Sequence, residues 1–163
     1  MDPKFCQQCG GPLERREIAG RERWACASEG CGWVLWGNPT PVLAALIEHD
    51  DAVLLVRNRE WPEKMFGLLT GFMESGETPK EGILREIREE VGLDAEVVGL
   101  IGVYSFDMMN QVILAYHCRA EGDIKLGDEL AGVRHIPADR LRPWPMGTGK
   151  AVSDWLAARK QPD

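Results

Sequence analysis

Two glutamates, Glu89 and Glu90, follow a third, Glu86, at spacings of three and four residues. If 78–91 is a helix, at about 100° per residue they share one stripe of its surface. Ile83, Leu84, Ile87 and Val91 fill the adjoining stripe. Thr78 and Glu81 have the spacing of a capping box, and Gly92 suits the helix end. Like charges at such spacings cost a few tenths of a kcal/mol per pair, so folding alone gives no reason for the cluster. Hard divalent cations reverse that sign, because Mg²⁺ and Mn²⁺ prefer carboxylate oxygen. Arg85 and Arg88 flank the acids and could hold them in place. From the helix pattern alone two readings stand level: a divalent-cation site and a solvated charged face.

The longer segment Gly71–Leu93 reads GFMESGETPKEGILREIREEVGL. It fits G-x5-E-x7-R-E-U-x-E-E-x-G-U, with U aliphatic, through Gly71, Glu77, Arg85, Glu86, Ile87, Glu89, Glu90, Gly92 and Leu93. This is the signature of the Nudix hydrolase family, which the chain resembles on these residues and on the strand pattern across most of 42–160. The resemblance implies a metal-dependent hydrolase that splits the diphosphate of a nucleoside diphosphate linked to a further group. It implies that Glu86, Glu89 and Glu90 bind Mg²⁺ or Mn²⁺ together with the carbonyl of Gly71. It also implies that Arg85 pairs with Glu77 and orders the site. The chemistry agrees: an acidic pocket accepts an anionic diphosphate only after cations neutralise it. A carboxylate must then take the proton of the attacking water. Glu86 is one candidate base. Glu129, in the stretch 127–135 that resembles the family's later loop, is the other candidate base and a candidate metal ligand, with Asp128 behind it.

Four of the five cysteines stand in the first 31 residues, as Cys6-x-x-Cys9 and Cys26-x4-Cys31. In a cytosolic chain such pairs read as metal ligands before disulfides. Gly10, Gly11, Gly30 and Gly32 permit the tight backbone that aims two thiolates at one ion, and the sixteen residues between the pairs suffice for a small hairpin. The pattern looks like a zinc ribbon with a closed, structural four-thiolate Zn²⁺ site. A redox pair, structural iron and unligated thiols are the other readings. A ribbon ahead of the signature resembles the NADH pyrophosphatase branch, as does the loop 69–78. The branch's S-Q-P-W-P-F-P-x-S stretch is not matched by Tyr104–Gln111 (YSFDMMNQ), although 142–147 (RPWPMG) echoes it. The substrate therefore stays open among NADH, ADP-ribose, FAD and related compounds. Related ribbon-bearing enzymes suggest a homodimer.

The remaining residues must build the scaffold. Residues 1–36 carry as many acids as bases, so the net charge of −7 belongs to 37–163. That sign disfavours bulk nucleic acid. No apolar run approaches the roughly 18 residues of a membrane span, and 1–6 lack the apolar core of a signal peptide. A cytoplasmic enzyme is the expectation. The chain divides into 1–36, the ribbon, and 37–163, the hydrolase domain, with Pro39 and Pro41 stiffening the join. Strands are expected at 42–48, 52–57, 95–106, 111–118 and 133–136, a short apolar segment at 67–73, and a second helix at 150–159. The fold class is α+β, an α/β/α sandwich after the ribbon. Phe66, Tyr104 and Phe106, with Trp61, could stack on a base, or fill the core. Arg57 and Arg59 could meet a phosphate. The three histidines show no spacing that suggests a metal. Besides a dinucleotide diphosphatase, a nucleoside triphosphate pyrophosphohydrolase and a non-catalytic binding module remain open.

Overall fold

A computed structural model describes residues 3–160 of the chain. It divides into two compact units, Met1–Asn38 and Pro39–Asp163.

In the first unit, β1 (Leu13–Ile18) and β2 (Arg21–Cys26) pair as an antiparallel hairpin, and β3 (Val34–Leu35) adds to β2. The turn residues Ala19 and Gly20 both have positive φ, the geometry of a two-residue turn whose twist suits a hairpin. Its buried apolar residues are Cys6, Ala25 and Cys26. Trp24 and Trp33 are half-buried, and Trp36 is exposed. Arg15 stacks on Trp24 at 4.4 Å, and Arg23 stacks on Trp36 at 4.9 Å.

The second unit is built on β4 (Thr40–His49). Along this strand Val42, Ala44 and Leu46 point to one side of the sheet, and Leu43, Ala45 and Ile47 to the other. Both sets are buried, so the strand is apolar throughout and central. It pairs antiparallel with β5 (Ala52–Asn58) across Asp50-Asp51 and with β6 (Leu69–Phe72). It runs parallel to β8 (Gln111–Glu121), which pairs with β7 (Asp94–Phe106). Strand β9 (Leu130–Ile136) closes the far edge on β5, giving the order β7-β8-β4-β5-β9 with β6 on β4. Helix α1 (Pro79–Val91) covers the Leu43 side, and α2 (Gly149–Ala158) covers the Val42 side. The expected α/β/α sandwich is therefore formed.

Helix α1 begins where the capping box places it. Thr78 Oγ1 accepts from the Glu81 N–H, and the Glu81 carboxylate accepts from the Thr78 N–H at 2.8 Å. It ends at Gly92, whose φ of 68° is left-handed and suits glycine.

Candidate active site

Strand β6 and helix α1 face each other where the signature begins and ends. A Cβ added at Gly71 would stand 1.9 Å from Cδ of Glu86. Only glycine lets that carboxylate lie against the β6 backbone. Gly82 has a similar role, since a Cβ there would meet Glu77 Oε1 at 2.5 Å and Leu43 Cδ1 at 2.6 Å. The sequence suggests open room above Gly82. The structure fills that room with Glu77 and brings α1 close to β4.

Arg85 is the hub of the acidic face. Its Nε and Nη2 donate to the two oxygens of Glu77 at 3.0 and 2.9 Å, a bidentate fork. Its Nη1 donates to Glu86 Oε1 and to Glu89 Oε2, both at 2.9 Å, and Nη2 also reaches the Phe72 carbonyl. One guanidinium thus ties the loop to three carboxylates. The Arg85 hydrogen bonds, then the Glu74 N–H, lower the Glu77 carboxyl to about 2.

Glu90 is outside this network. Its Oε2 is buried without a hydrogen-bond partner among the described residues. Burial first, then the charges of Glu129, Glu86 and Glu89, raises its carboxyl above the ordinary value. Burial also raises Glu86, against the pull of Arg85. A buried carboxylate oxygen with no donor costs folding free energy. The donor set around it is oxygen only, and carboxylates packed together attract hard divalent cations. The residues present therefore fit a Mg²⁺-type or Mn²⁺-type ion.

Glu129 arrives from the connection between β8 and β9. That segment docks on the end of α1 through Lys125 N–H to the Val91 carbonyl at 2.9 Å and Gly127 N–H to the Glu90 carbonyl at 2.8 Å. These donors satisfy carbonyls that the last helical turn leaves open. Gly127 is needed for the approach, because a Cβ would stand 2.7 Å from the Glu89 carbonyl oxygen. The Glu129 carbonyl accepts from Arg59 N–H, and Arg59 Nε donates to the Leu130 carbonyl. Arg59 is thus anchored beside Glu129. Gly127 escapes a reading based on side-chain chemistry, and its only signal is its place just before the acids Asp128 and Glu129.

A cleft of about 440 Å³ opens on the Val42 side of the sheet, the side that α2 covers. Its walls include Trp61, Phe66, Phe106 and Trp144, with Thr70 and Gln111 as polar edges. Thr70 is bonded to Gly71, but side chains alternate along β6, so Thr70 faces the cleft from the Ala44 side while Gly71 faces Glu86 from the Leu43 side. Tyr104 does not line it. The expectation that Tyr104 offers a stacking face is corrected: it is 8% exposed, packs with α2, and donates its hydroxyl to Asp154 at 2.8 Å. It points inward because β7 alternates, and its neighbours two residues away continue the core side. Trp144 was marked in the sequence by the Arg-Pro-Trp-Pro run.

In the first unit, the four sulfurs of Cys6, Cys9, Cys26 and Cys31 lie within 4.8 Å of one another. Cys6–Cys31 and Cys9–Cys26 are 3.8 and 3.5 Å apart, non-bonded distances rather than disulfides. Sulfurs about 2.3 Å from a tetrahedral ion stand about 3.8 Å apart. Backbone N–H groups of Gln8, Gly11 and Ser28 point at Cys6, Cys9 and Cys26. The Gly11 N–H, with the neighbouring thiols, lowers the Cys9 thiol to about 6, toward the thiolate a metal needs. The donor set fits zinc.

Residues 37–155 match the NUDIX domain family, and the chain belongs to it. Over 144 residues it is 27% identical to the NAD-capped RNA hydrolase NudC of Stutzerimonas stutzeri (strain A1501), an alignment covering 87% of this chain and 51% of that one. Over 123 residues it is 32% identical to the NAD-capped RNA hydrolase NudC of Mycobacterium tuberculosis (strain ATCC 25177 / H37Ra), covering 72% and 37%. The chain spans about half the length, or less, of these curated relatives. Among solved structures it superposes on a NUDIX hydrolase from Nitrosomonas europaea with a TM-score of 0.78 and 28% identity, covering 98% of this chain and 95% of that one.

Proposed function

We propose that the chain is a divalent-metal-dependent hydrolase of a diphosphate bond in a nucleoside diphosphate-linked small molecule, with a dinucleotide such as NADH, ADP-ribose or FAD as substrate class. The observation that carries this reading is the buried, unpartnered Oε2 of Glu90 beside Glu86 and Glu129, next to a glycine that leaves no room for a Cβ. An acidic hole of this kind is unfavourable unless a cation fills it.

Glu86, Glu90 and Glu129, with the Gly71 carbonyl, would hold Mg²⁺ or Mn²⁺, and Glu89 completes the acidic rim. When bound, the ions supply charge neutralisation at the phosphoryl oxygens and acidify water. Arg85 keeps Glu86 in place while Glu77 fixes Arg85, so both act as positioning residues. Glu86 or Glu129 accepts the water's proton. The aromatic cleft beginning at Thr70 gives a base or nicotinamide ring a stacking surface through Phe66, Phe106 and Trp144. Zn²⁺ in the four-thiolate site is structural. The unit works in the cytoplasm, as a homodimer.

The named relatives favour an NAD-type end group, and the net charge of −7 favours the free small molecule over an RNA carrying it. The test offers NADH, NAD, FAD, ADP-ribose, nucleoside triphosphates and NAD-capped RNA with Mg²⁺ or Mn²⁺, and identifies products by mass. Cleavage of a dinucleotide at its diphosphate, lost by at least about a hundredfold in Glu90→Gln, is the expected result. Turnover of Glu90→Gln at the wild-type rate overturns the site.

A further inference from the structure

At the end of the sheet far from the carboxylate box, two histidines meet that stand 86 residues apart in sequence. His49 ends β4, six residues beyond Leu43, which pairs with Gly71. At about 3.3 Å per residue this is roughly 20 Å from the box. His49 is 5% exposed. Its Nε2 lies 2.9 Å from the Gly122 carbonyl oxygen, and its Nδ1 lies 2.9 Å from His135 Nε2. A carbonyl only accepts, so Nε2 of His49 carries the hydrogen. In the neutral ring Nδ1 is then a bare lone pair. It points at His135 Nε2, with Asp50 Oδ2 3.4 Å away. The three ligand atoms lie within 4.8 Å of one another.

Nothing in this arrangement is needed to form the sheet. Asp50 is fixed because Asp50 and Asp51 both have positive φ, in a two-residue turn that closes on the His49–Ala52 pair. His135 is held by its register opposite Leu54 on β5. Three elements therefore deliver two imidazole nitrogens and a carboxylate to one point. An imidazole whose far N–H is tied to a backbone carbonyl is the arrangement that sets a metal-ligating histidine in its tautomer. Asp50 and His135 are exposed, which leaves a path for an ion and a place for water as a fourth ligand.

We infer that His49, Asp50 and His135 form a further metal site, which takes a Zn²⁺-class divalent ion. Two nitrogens and one oxygen favour zinc, nickel, cobalt or copper over magnesium. In the metal-free state one proton bridges the two rings, and the ion replaces it. Tetrahedral bonds of about 2.0–2.1 Å place ligand nitrogens about 3.3 Å apart, so the pair opens by a few tenths of an ångström. The exposed His135 ring supplies that movement. Bound there, the ion joins the β4–β5 turn to β9, and through His49 to Gly122, where the connection bearing Glu129 begins. It stiffens the base of that connection without touching the carboxylate box. None of this depends on the hydrolase reading.

The test uses the full chain with Mg²⁺ in excess and Zn²⁺ added stepwise. Long-range proton–nitrogen NMR spectra follow each histidine nitrogen. Coordination shifts at His49 Nδ1 and His135 Nε2, with His49 Nε2 still protonated, are expected. Elemental analysis after dialysis should find about one zinc fewer per chain in His135→Gln than in wild type, whatever the cysteines hold. Asp50→Asn, a surface change that leaves both rings in place, should weaken zinc at this site by at least about tenfold, since even outer-shell losses have that effect. If saturating zinc leaves both nitrogens unmoved, or if His135→Gln holds as much zinc as wild type, the pair shares a proton and nothing more, and the inference is overturned.

Discussion

Glu77 and Glu90 are carboxylates of the same motif, thirteen residues apart, whose proton affinities are shifted in opposite directions. Glu77 has a fork from Arg85 and a backbone N–H, and is driven down to about 2. Glu90 has an orphan oxygen and like charges around it, and is driven up. For Glu77 the folded value lies below the usual 4.5, so its contribution to stability is complete above about 4.5 and is lost as pH falls toward about 2. Glu77→Gln should therefore be less stable than wild type at neutral pH, with the gap closing across that acid range. Denaturant midpoints measured against pH check this, and a gap constant down to pH 2 would contradict it. Gly71 makes a sharper test, because a methyl group there must displace Glu86. Gly71→Ala should keep its far-ultraviolet dichroism and lose roughly a hundredfold in kcat, the scale of misplacing a reacting group by about 1 Å. An unchanged kcat would show that Glu86 does not need its seat against β6.

Helix α1 was legible in the sequence because its signals are local: the Thr78–Glu81 box, the apolar stripe and Gly92 all act within a few residues. The strands were legible as apolar runs, but their bounds moved outward by one to three residues where partners extend the pairing. The parallel pairing of β4 with β8 was not legible, nor which of the aromatics fill the core and which line the cleft, because both are set by contacts distant in sequence. The His49–His135 meeting was hidden for the same reason. It depends on β9 lying in one register on β5, and a shift of one residue would turn His135 to the other face. Docking of 122–129 on α1 belongs to this class as well. Its test is Gly127→Ala, whose methyl collides with backbone rather than a yielding side chain. The connection should lift and carry Glu129 away from Glu90. A fall in kcat of about tenfold to a hundredfold is expected, with no further loss when Glu129→Gln is added. Additive losses would place Glu129 outside the effect of the docking.

Across the whole chain the two units are stabilised in different ways. The Pro39–Asp163 unit has an apolar core on each side of its sheet, with some of the largest side chains fully buried. The Met1–Asn38 unit buries Cys6, Ala25 and Cys26 among its described residues, and two of those three belong to the four-cysteine cluster. Trp24 and Trp36 stack on Arg15 and Arg23, which supplies little where water screens the charge. So small an apolar core does not offset the backbone entropy of an ordered hairpin and two knuckles. On the proposed zinc reading, bonds to the ion supply the missing free energy, since a four-thiolate zinc site contributes folding free energy outright. Removing zinc with a chelator under reducing conditions should then release amide protection in β1, β2 and β3 while the strands of the second unit keep theirs. Cys9→Ser should have the same local effect, because it removes one of the four clustered thiols. Hydrogen exchange read segment by segment decides it. Retained protection in β1–β3 after complete zinc loss would mean that the hairpin holds itself, and that the four sulfurs are packed for some other reason.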